Sequence, residues 1–392
     1  MRRFILSFFS CFILLISAGF AQKQENLKIT HMPYLQALTD SSASIVWTTN
    51  KPSIAWVEIA PDDSTHFYQM ERPKIFASHD GFKTMDTVHR VDLRHLKPNT
   101  KYRYRVYSKE VLSHEWVNVE YGKTVATNVY REQPLVFQTP GATTRTKFAV
   151  INDIHGRNEV MNTLLDRAEL DELDFVVFNG DMANNLVSEK QMFEDYMDTA
   201  IDRFAKEKVF YYARGNHETR GPFAFQFFRY FPTPNGKLYY MFTHGETAFI
   251  ILDTGEDKPD SDIEYSGIVD MDAYRSEQAD WLKEAVEDPK FKNAKYKIVV
   301  GHIPPLGRWH GEQDLLNKFV PILNKAKIDI MLSAHYHRHL FSKENQQIHF
   351  PILVNSNNNV IKVDIDSSRA SVRILDQEGK VVEKYDIPGE RK

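Results

Sequence analysis

Asp174-Phe175-Val176-Val177-Phe178-Asn179-Gly180-Asp181 is the stretch on which the reading of this chain turns. Its apolar part, Phe175 to Phe178, has the length and composition of a strand buried on both faces. The run stops at Asn179-Gly180-Asp181. Gly180 permits a turn there. Asp181 then emerges at the carboxyl end of the strand, the end at which open α/β sheets bind ligands. A carboxylate in that place is either a turn residue or a ligand. Four more segments with the same layout decide between the two.

Working outward, strands and helices alternate after Lys147. Strands are expected at 148–151, 175–178, 209–212, 248–252, 297–300 and 328–332. Helices are expected at 158–170, 188–206, 276–286 and 313–326. Ser188 is the N-cap of the second helix, with Gln191 as its capping-box partner. Residues 352–354 and 359–387 read as closing β hairpins. Alternation of this kind means an α/β domain, here spanning residues 145–392.

Polar clusters follow five of these strands. They are Asn152-Asp153-Ile154-His155-Gly156, Asn179-Gly180-Asp181, Arg214-Gly215-Asn216-His217-Glu218, Gly301-His302-Ile303-Pro304-Pro305 and Ala334-His335-Tyr336-His337. Asp153 and His155, like His335 and His337, are two residues apart. In an extended segment such pairs point the same way. Two aspartates, an asparagine and four imidazoles form a mixed N/O ligand set without thiolate, suited to Mn, Fe, Zn or Co. Seven ligands exceed one tetrahedral site and fit two ions sharing a carboxylate. Histidine makes up 15 of 392 residues, so isolated ones carry no weight. The ordered pattern does.

In this order the five segments resemble the signature of the calcineurin-like metallophosphoesterase superfamily: Asp-x-His, Gly-Asp, Gly-Asn-His-Glu, Gly-His and Gly-His-x-His. The resemblance implies an α/β/β/α sandwich that hydrolyses phosphoesters with a metal-activated hydroxide. It places Asp153, His155 and His337 on one metal and Asn216, His302 and His335 on the other, with Asp181 between. It makes His217 the histidine that protonates the leaving oxygen or steadies the phosphoryl charge. Ala334 replaces the glycine of the last motif. Purple acid phosphatases, which share the domain order, carry a tyrosine ligand where this chain has Asn184 and a glycine where it has His155. Their tyrosine–iron chromophore is therefore not expected here.

The N-terminal half, residues 26–140, reads as short strands and turns, among them Ser44–Thr48, Ala55–Ile59 and Tyr102–Tyr107. Leu96-Lys97-Pro98-Asn99-Thr100-Lys101-Tyr102 resembles the tyrosine corner of a fibronectin type III or immunoglobulin-like all-β sandwich. Such modules serve as spacers or partner surfaces. Pro140 to Thr144 is the linker. Before the sandwich, Arg2-Arg3, the apolar run Phe4 to Phe20 and Ala21 have the form of a secretory signal peptide over residues 1–21. Export to the periplasm or medium is the expectation, with cleavage near Ala21 and no membrane span in the mature chain. The single cysteine, Cys11, sits in that leader, which excludes disulfides and thiol catalysis afterwards. Net charge is −4 and no basic stripe is visible, so nucleic acid is not an expected partner.

Arg157, Arg214 and Arg308 are candidate phosphate contacts or else surface ion pairs. Trp309 and His310 are candidates for a substrate wall. Glu218 could orient His217 or cap a helix, and His339 could support the metal cluster or be an ordinary surface histidine. Phe223 to Phe231 reads as core packing rather than a base-stacking platform, and His244 as structural. The expected activity is phosphomonoester hydrolysis. Its rivals are a phosphodiesterase or nucleotidase, and a cell-surface binding module with a vestigial metal site.

Overall fold

The computed structural model describes residues 25–387; the leader read at residues 1–21, with Cys11, lies outside them. The N-terminal region is a β-sandwich built around one long strand, Ser42–Pro61. Its first half pairs with Asp86–Arg94 and Ile29–Gln36, its second half with Lys101–Glu115. The sequence reading gave this strand as two, Ser44–Thr48 and Ala55–Ile59. Pro52 lacks a donor, and the register shifts between Thr48 and Ser53. There the strand passes from one layer to the other without ending. Trp47 lies in the core and donates from Nε1 to Ser108 Oγ at 2.9 Å. The tyrosine corner is present: Lys97 N donates to Tyr102 Oη at 2.8 Å.

The C-terminal region consists of two six-stranded sheets packed face to face, with helices outside each. In the first sheet Phe210–Tyr212, Phe175–Phe178 and Thr146–Ile151 run parallel, and Val360–Ile365, Ala370–Leu375 and Val381–Ile387 complete it antiparallel. In the second, Thr247–Leu252, Tyr296–Gly301, Ile330–Ser333 and Ile352–Val354 run parallel, with antiparallel Tyr240–His244 and Leu340–Ser342 at its edges. Alternation divides each strand between two cores. Phe175 and Val177 face the second sheet, whereas Val176 and Phe178 face helices Asn158–Ala168 and Glu189–Met192 and the turns that continue the latter. All four are buried, which is why this strand reads as unbroken apolar sequence. The Phe175 ring meets Phe148, Tyr211 and Phe249 at centroid distances of 5.1, 5.1 and 5.4 Å. Truncating a phenylalanine so enclosed costs roughly 3–5 kcal/mol.

Three helices differ from expectation. The segment read as one helix at 188–206 alternates α and π turns from Glu189 to Ala205. The segment read as one helix at 313–326 is two, His310–Lys318 and Val320–Ala326. Pro321, within the first turn of the second, has no N–H to continue the first. The helix read at 276–286 starts earlier, at Met271. Among the described residues no helix is long and apolar enough to cross a membrane.

The sandwich rests on the first sheet and its helices. Tyr34 Oη donates to Tyr230 O at 2.8 Å, Tyr104 Oη to Lys206 O at 2.6 Å, and Gln36 Nε2 to Phe210 O at 3.3 Å.

Candidate metal centre

Both sheets aim the carboxyl ends of their parallel strands at one cleft. Asp153, His155, Asp181 and His337 bring one ligand atom each to within 4.8 Å of one another, and Asp181, His302 and His335 do the same. Asp181 belongs to both groups. His302 Nε2 stands 3.1 Å from Asp181 Oδ2, His337 Nε2 3.2 Å from Asp153 Oδ1, and His155 Nε2 3.1 Å from His337 Nε2. Donors held about 2.1 Å from one ion stand roughly 3–3.4 Å apart. Facing imidazole nitrogens at such a distance need a proton or cation between them.

Burial supports the same fit. Asn216 Oδ1 is buried without a partner, and Asp153 Oδ1 and His302 Nε2, also buried, face other members of the cluster with no well-aligned hydrogen bond. A buried polar atom left without a partner is costly, and all three occupy positions of the ligand motif. Asn216 is 2% exposed. These residues therefore fit a pair of metal ions, with an N/O donor set.

The backbone departs from the extended geometry expected of the paired residues. Asp153, His155, Asp181, His335 and His337 have φ of 50, 51, 54, 72 and 54°, all in the left-handed region. Non-glycine residues rarely adopt it, and where they do it marks functional sites. Residues two apart reach one cleft through coiled turns. Three bonds zip the first two turns together: Asp153 N to Gly180 O, His155 N to Asp181 O and Gly156 N to Met182 O, at 2.9, 3.0 and 2.9 Å. Gly180 and Gly215 permit the close approach. A Cβ on Gly215 would lie 2.2 Å from Asp181 Oδ1, and one on Gly180 2.6 Å from Gly215 N.

Hydrogen bonds fix the rings. His302 Nδ1 donates to Asn179 O at 2.7 Å, which leaves Nε2 for the cleft. His217 Nδ1 donates to Asn184 O at 2.5 Å, so Nε2 points inward, 3.9 Å from Asp181 Oδ2. Burial alone would raise the Asp181 pKa, but His302, then His217, hold it well below the usual carboxylate range. Conversely, burial disfavours the His302 cation, yet Asp181 and then Asp153 raise its basicity. Burial, and for His335 the neighbouring His302 charge as well, push the basicity of His155 and His335 down instead.

Glu218 neither orients His217 nor caps a helix. Fully buried, it accepts from Asp181 N, Met182 N and Gly215 N at 2.9, 2.7 and 2.9 Å, and from Tyr212 Oη at 3.0 Å. It ties two ligand loops together. Burial, then the Asp181 charge, push its carboxyl upward.

Most of the expected substrate contacts are engaged elsewhere. The Arg157 guanidinium donates to the carbonyls of Ile154, Asp153 and Asn357 and to Asn358 Oδ1, at 2.8–3.0 Å, so it braces loops. Arg214 pairs with Asp253 at 2.8 Å, and His310 Nε2 is drawn to Asp272 Oδ1 at 2.7 Å. Arg308 and Trp309 are exposed. His339 contacts Tyr385 Oη at 3.1 Å, outside the cluster. His244 meets Thr146 Oγ1 at 3.2 Å, a structural contact.

Sequence reasoning missed Asp253, which accepts from Arg214 and from Tyr274 Oη. It follows the strand Thr247–Leu252 as the other clusters follow theirs, so the strand-end rule could have found it. It also missed Asn355, whose Nδ2 donates to Asn152 Oδ1 at 2.7 Å beside Asp153. Nothing in the sequence links those two distant asparagines.

Comparison with known proteins follows the same lines. The calcineurin-like phosphoesterase family profile matches residues 146–339, and the profile of the purple acid phosphatase N-terminal domain matches residues 31–124. No curated protein sequence matches. Among solved structures, purple acid phosphatase PPD1 from yellow lupin (Lupinus luteus) seeds aligns with TM-score 0.68 and 14% identity, covering 92% of this chain and 74% of that one. GAP50, the anchor in the inner membrane complex of Plasmodium, aligns with TM-score 0.48 and 14% identity, over 64% and 90%. TT1561 of Thermus thermophilus aligns with TM-score 0.38 and 12% identity, over 62% and 100%.

Proposed function

Given that residues 146–339 belong to the calcineurin-like phosphoesterase family and residues 31–124 to the purple acid phosphatase N-terminal domain, we propose that the chain is an exported two-metal phosphomonoesterase. One observation carries this reading: two groups of ligand atoms converge and share Asp181. Asp153, His155 and His337 would hold one ion, Asn216, His302 and His335 the other, and Asp181 both. When bound, the ions supply neutralising charge for phosphoryl oxygens and acidify water.

The chain's own residues supply position and a proton. Glu218 and the glycines Gly180 and Gly215 hold the ligand loops at contact distance. His217 stands outside the ligand groups. Asn184 O fixes the proton on Nδ1, so Nε2 is the atom that can deliver a proton to a departing alkoxide. Export rests on the leader at residues 1–21. Preference for monoesters rests on the sandwich-plus-phosphoesterase order.

The test is elemental mass spectrometry on the leader-less protein, with turnover of para-nitrophenyl phosphate and its bis ester on the same sample. Two metals per chain and faster monoester turnover are expected. Faster diester turnover would select a phosphodiesterase. No metal and no turnover after incubation with Mn, Fe and Zn would overturn the reading in favour of a binding protein.

A further inference from the structure

A cleft of about 290 Å³ opens beside the loop that carries Asn216 and His217. Arg214 and Thr219 line it, and they bracket those two residues in the chain. Three residues of chain span at most roughly 11 Å, so the cleft adjoins the site. Its wall is the 3₁₀ turn Ala224–Arg229. In a 3₁₀ helix residues i and i+3 eclipse, so Phe225 and Phe228 lie on the same side of the turn. Phe227, by contrast, is buried in the core. The aromatic run Phe223 to Phe231 thus has two roles, only one of which is core packing.

Phe225, Phe228 and Ile268 are 61, 60 and 64% exposed, and all three line this cleft. Single exposed apolar side chains need no explanation, but several lining one cleft mark a binding surface. The polar groups nearby are already paired. Arg214 bonds to Asp253, and Thr219 Oγ1 to Asn216 O at 2.7 Å and to Glu256. Asp270 is the one carboxylate among the residues that line the cleft, and it is exposed. An apolar cavity of about 150 Å³ holds benzene, so this volume accommodates one aromatic ring with its linking chain.

We propose that this cleft receives the leaving group of the phosphoester, and that the group is uncharged and apolar. The proposal rests on the phosphoesterase reading above. It explains why the turn that bears Thr219 runs from the proton-donating His217 directly into an aromatic wall.

The test compares ethyl phosphate, 2-phenylethyl phosphate and choline phosphate as substrates of the metal-loaded full chain, read as phosphate release. The first two share a primary alkoxide, so their ratio of kcat/KM reports recognition of the ring. Burying the ring should favour 2-phenylethyl phosphate by roughly 10–100-fold. Phe225→Ala/Phe228→Ala should shrink the ratio to within about threefold. Ile268→Ser, on a separate loop, should lower it in the same direction if the double variant folds poorly. Equal efficiency of the two alkyl esters in the unaltered chain, or a ratio unmoved by the substitutions, would overturn the cleft's role while leaving the hydrolase standing. Preference for choline phosphate would overturn it in favour of recognition by Asp270. Turnover of none of the three, with metals bound, would overturn the phosphoesterase reading and this inference together.

Discussion

Five residues of the candidate metal cluster stand in the left-handed backbone region, and His337 allows the consequence to be measured. Its φ is 54° and its side chain is 48% exposed, so truncation removes little packing. An L-residue in that region loses roughly 1–2 kcal/mol relative to the ordinary helical region. Glycine escapes this but loses about 0.5–1 kcal/mol through its greater freedom when unfolded. His337→Gly should therefore exceed His337→Ala in stability by about 0.5–1 kcal/mol, reversing the usual order. The assay is chemical unfolding of both variants after chelation, followed through the C-terminal region. Adding Mn or Zn should raise the stability of the unaltered chain, by about 2.7 kcal/mol at a hundredfold excess over Kd, and that of both variants by less. If His337→Ala matches or exceeds His337→Gly without metal, the backbone there is not strained and the reasoning fails.

Three further outcomes are expected. His217→Ala should keep its metal content by elemental mass spectrometry while kcat for para-nitrophenyl phosphate falls about 10²–10⁴-fold. Glu218→Gln presents an amide N–H₂ to backbone donors that now meet a carboxylate. It should lower unfolding stability by roughly 2–4 kcal/mol, and metal titration should show weaker binding; an unchanged melt would refute the brace. His89, buried in the sandwich, has its pKa pushed down to about 4 by burial, against a smaller opposing effect of Asp86. It is neutral when folded and takes up a proton more readily when unfolded. Stability is thus full above about pH 6.5 and declines as pH falls toward 4, by up to about 3 kcal/mol. His89→Gln should flatten that decline in urea titrations; an unchanged slope would count against it.

The fold was legible where burial writes itself into composition. Phe175 to Phe178 is apolar throughout because sheet and helices cover both its faces. Strand Asn118–Ala126 was missed because it is mostly exposed and carries charged residues, so it lacks an apolar register. The residues that converge on the cleft could be read from their type and order. Their conformation could not, since nothing in Asp153-Ile154-His155 announces two left-handed residues. Arginine assignments were least secure for a physical reason. A guanidinium serves a phosphate and a ring of backbone carbonyls equally well, and Arg157 and Arg214 had partners far away in the chain.

The contact between the sandwich and the first sheet bears on how the molecule avoids self-association. Phe210–Tyr212 is the last strand of its sheet and would offer unpaired backbone to any passing strand. Gln36 occupies Phe210 O, while Tyr240 Oη, from the other sheet, takes Tyr212 N at 3.0 Å and Tyr212 O at 3.3 Å. The N-terminal module thus covers the Phe210 end of an adhesive border, while Tyr240 holds the Tyr212 end from within the C-terminal region. Removing the module would free Phe210 O and lengthen the open part of the edge, so the shortened protein should self-associate more readily than the full chain.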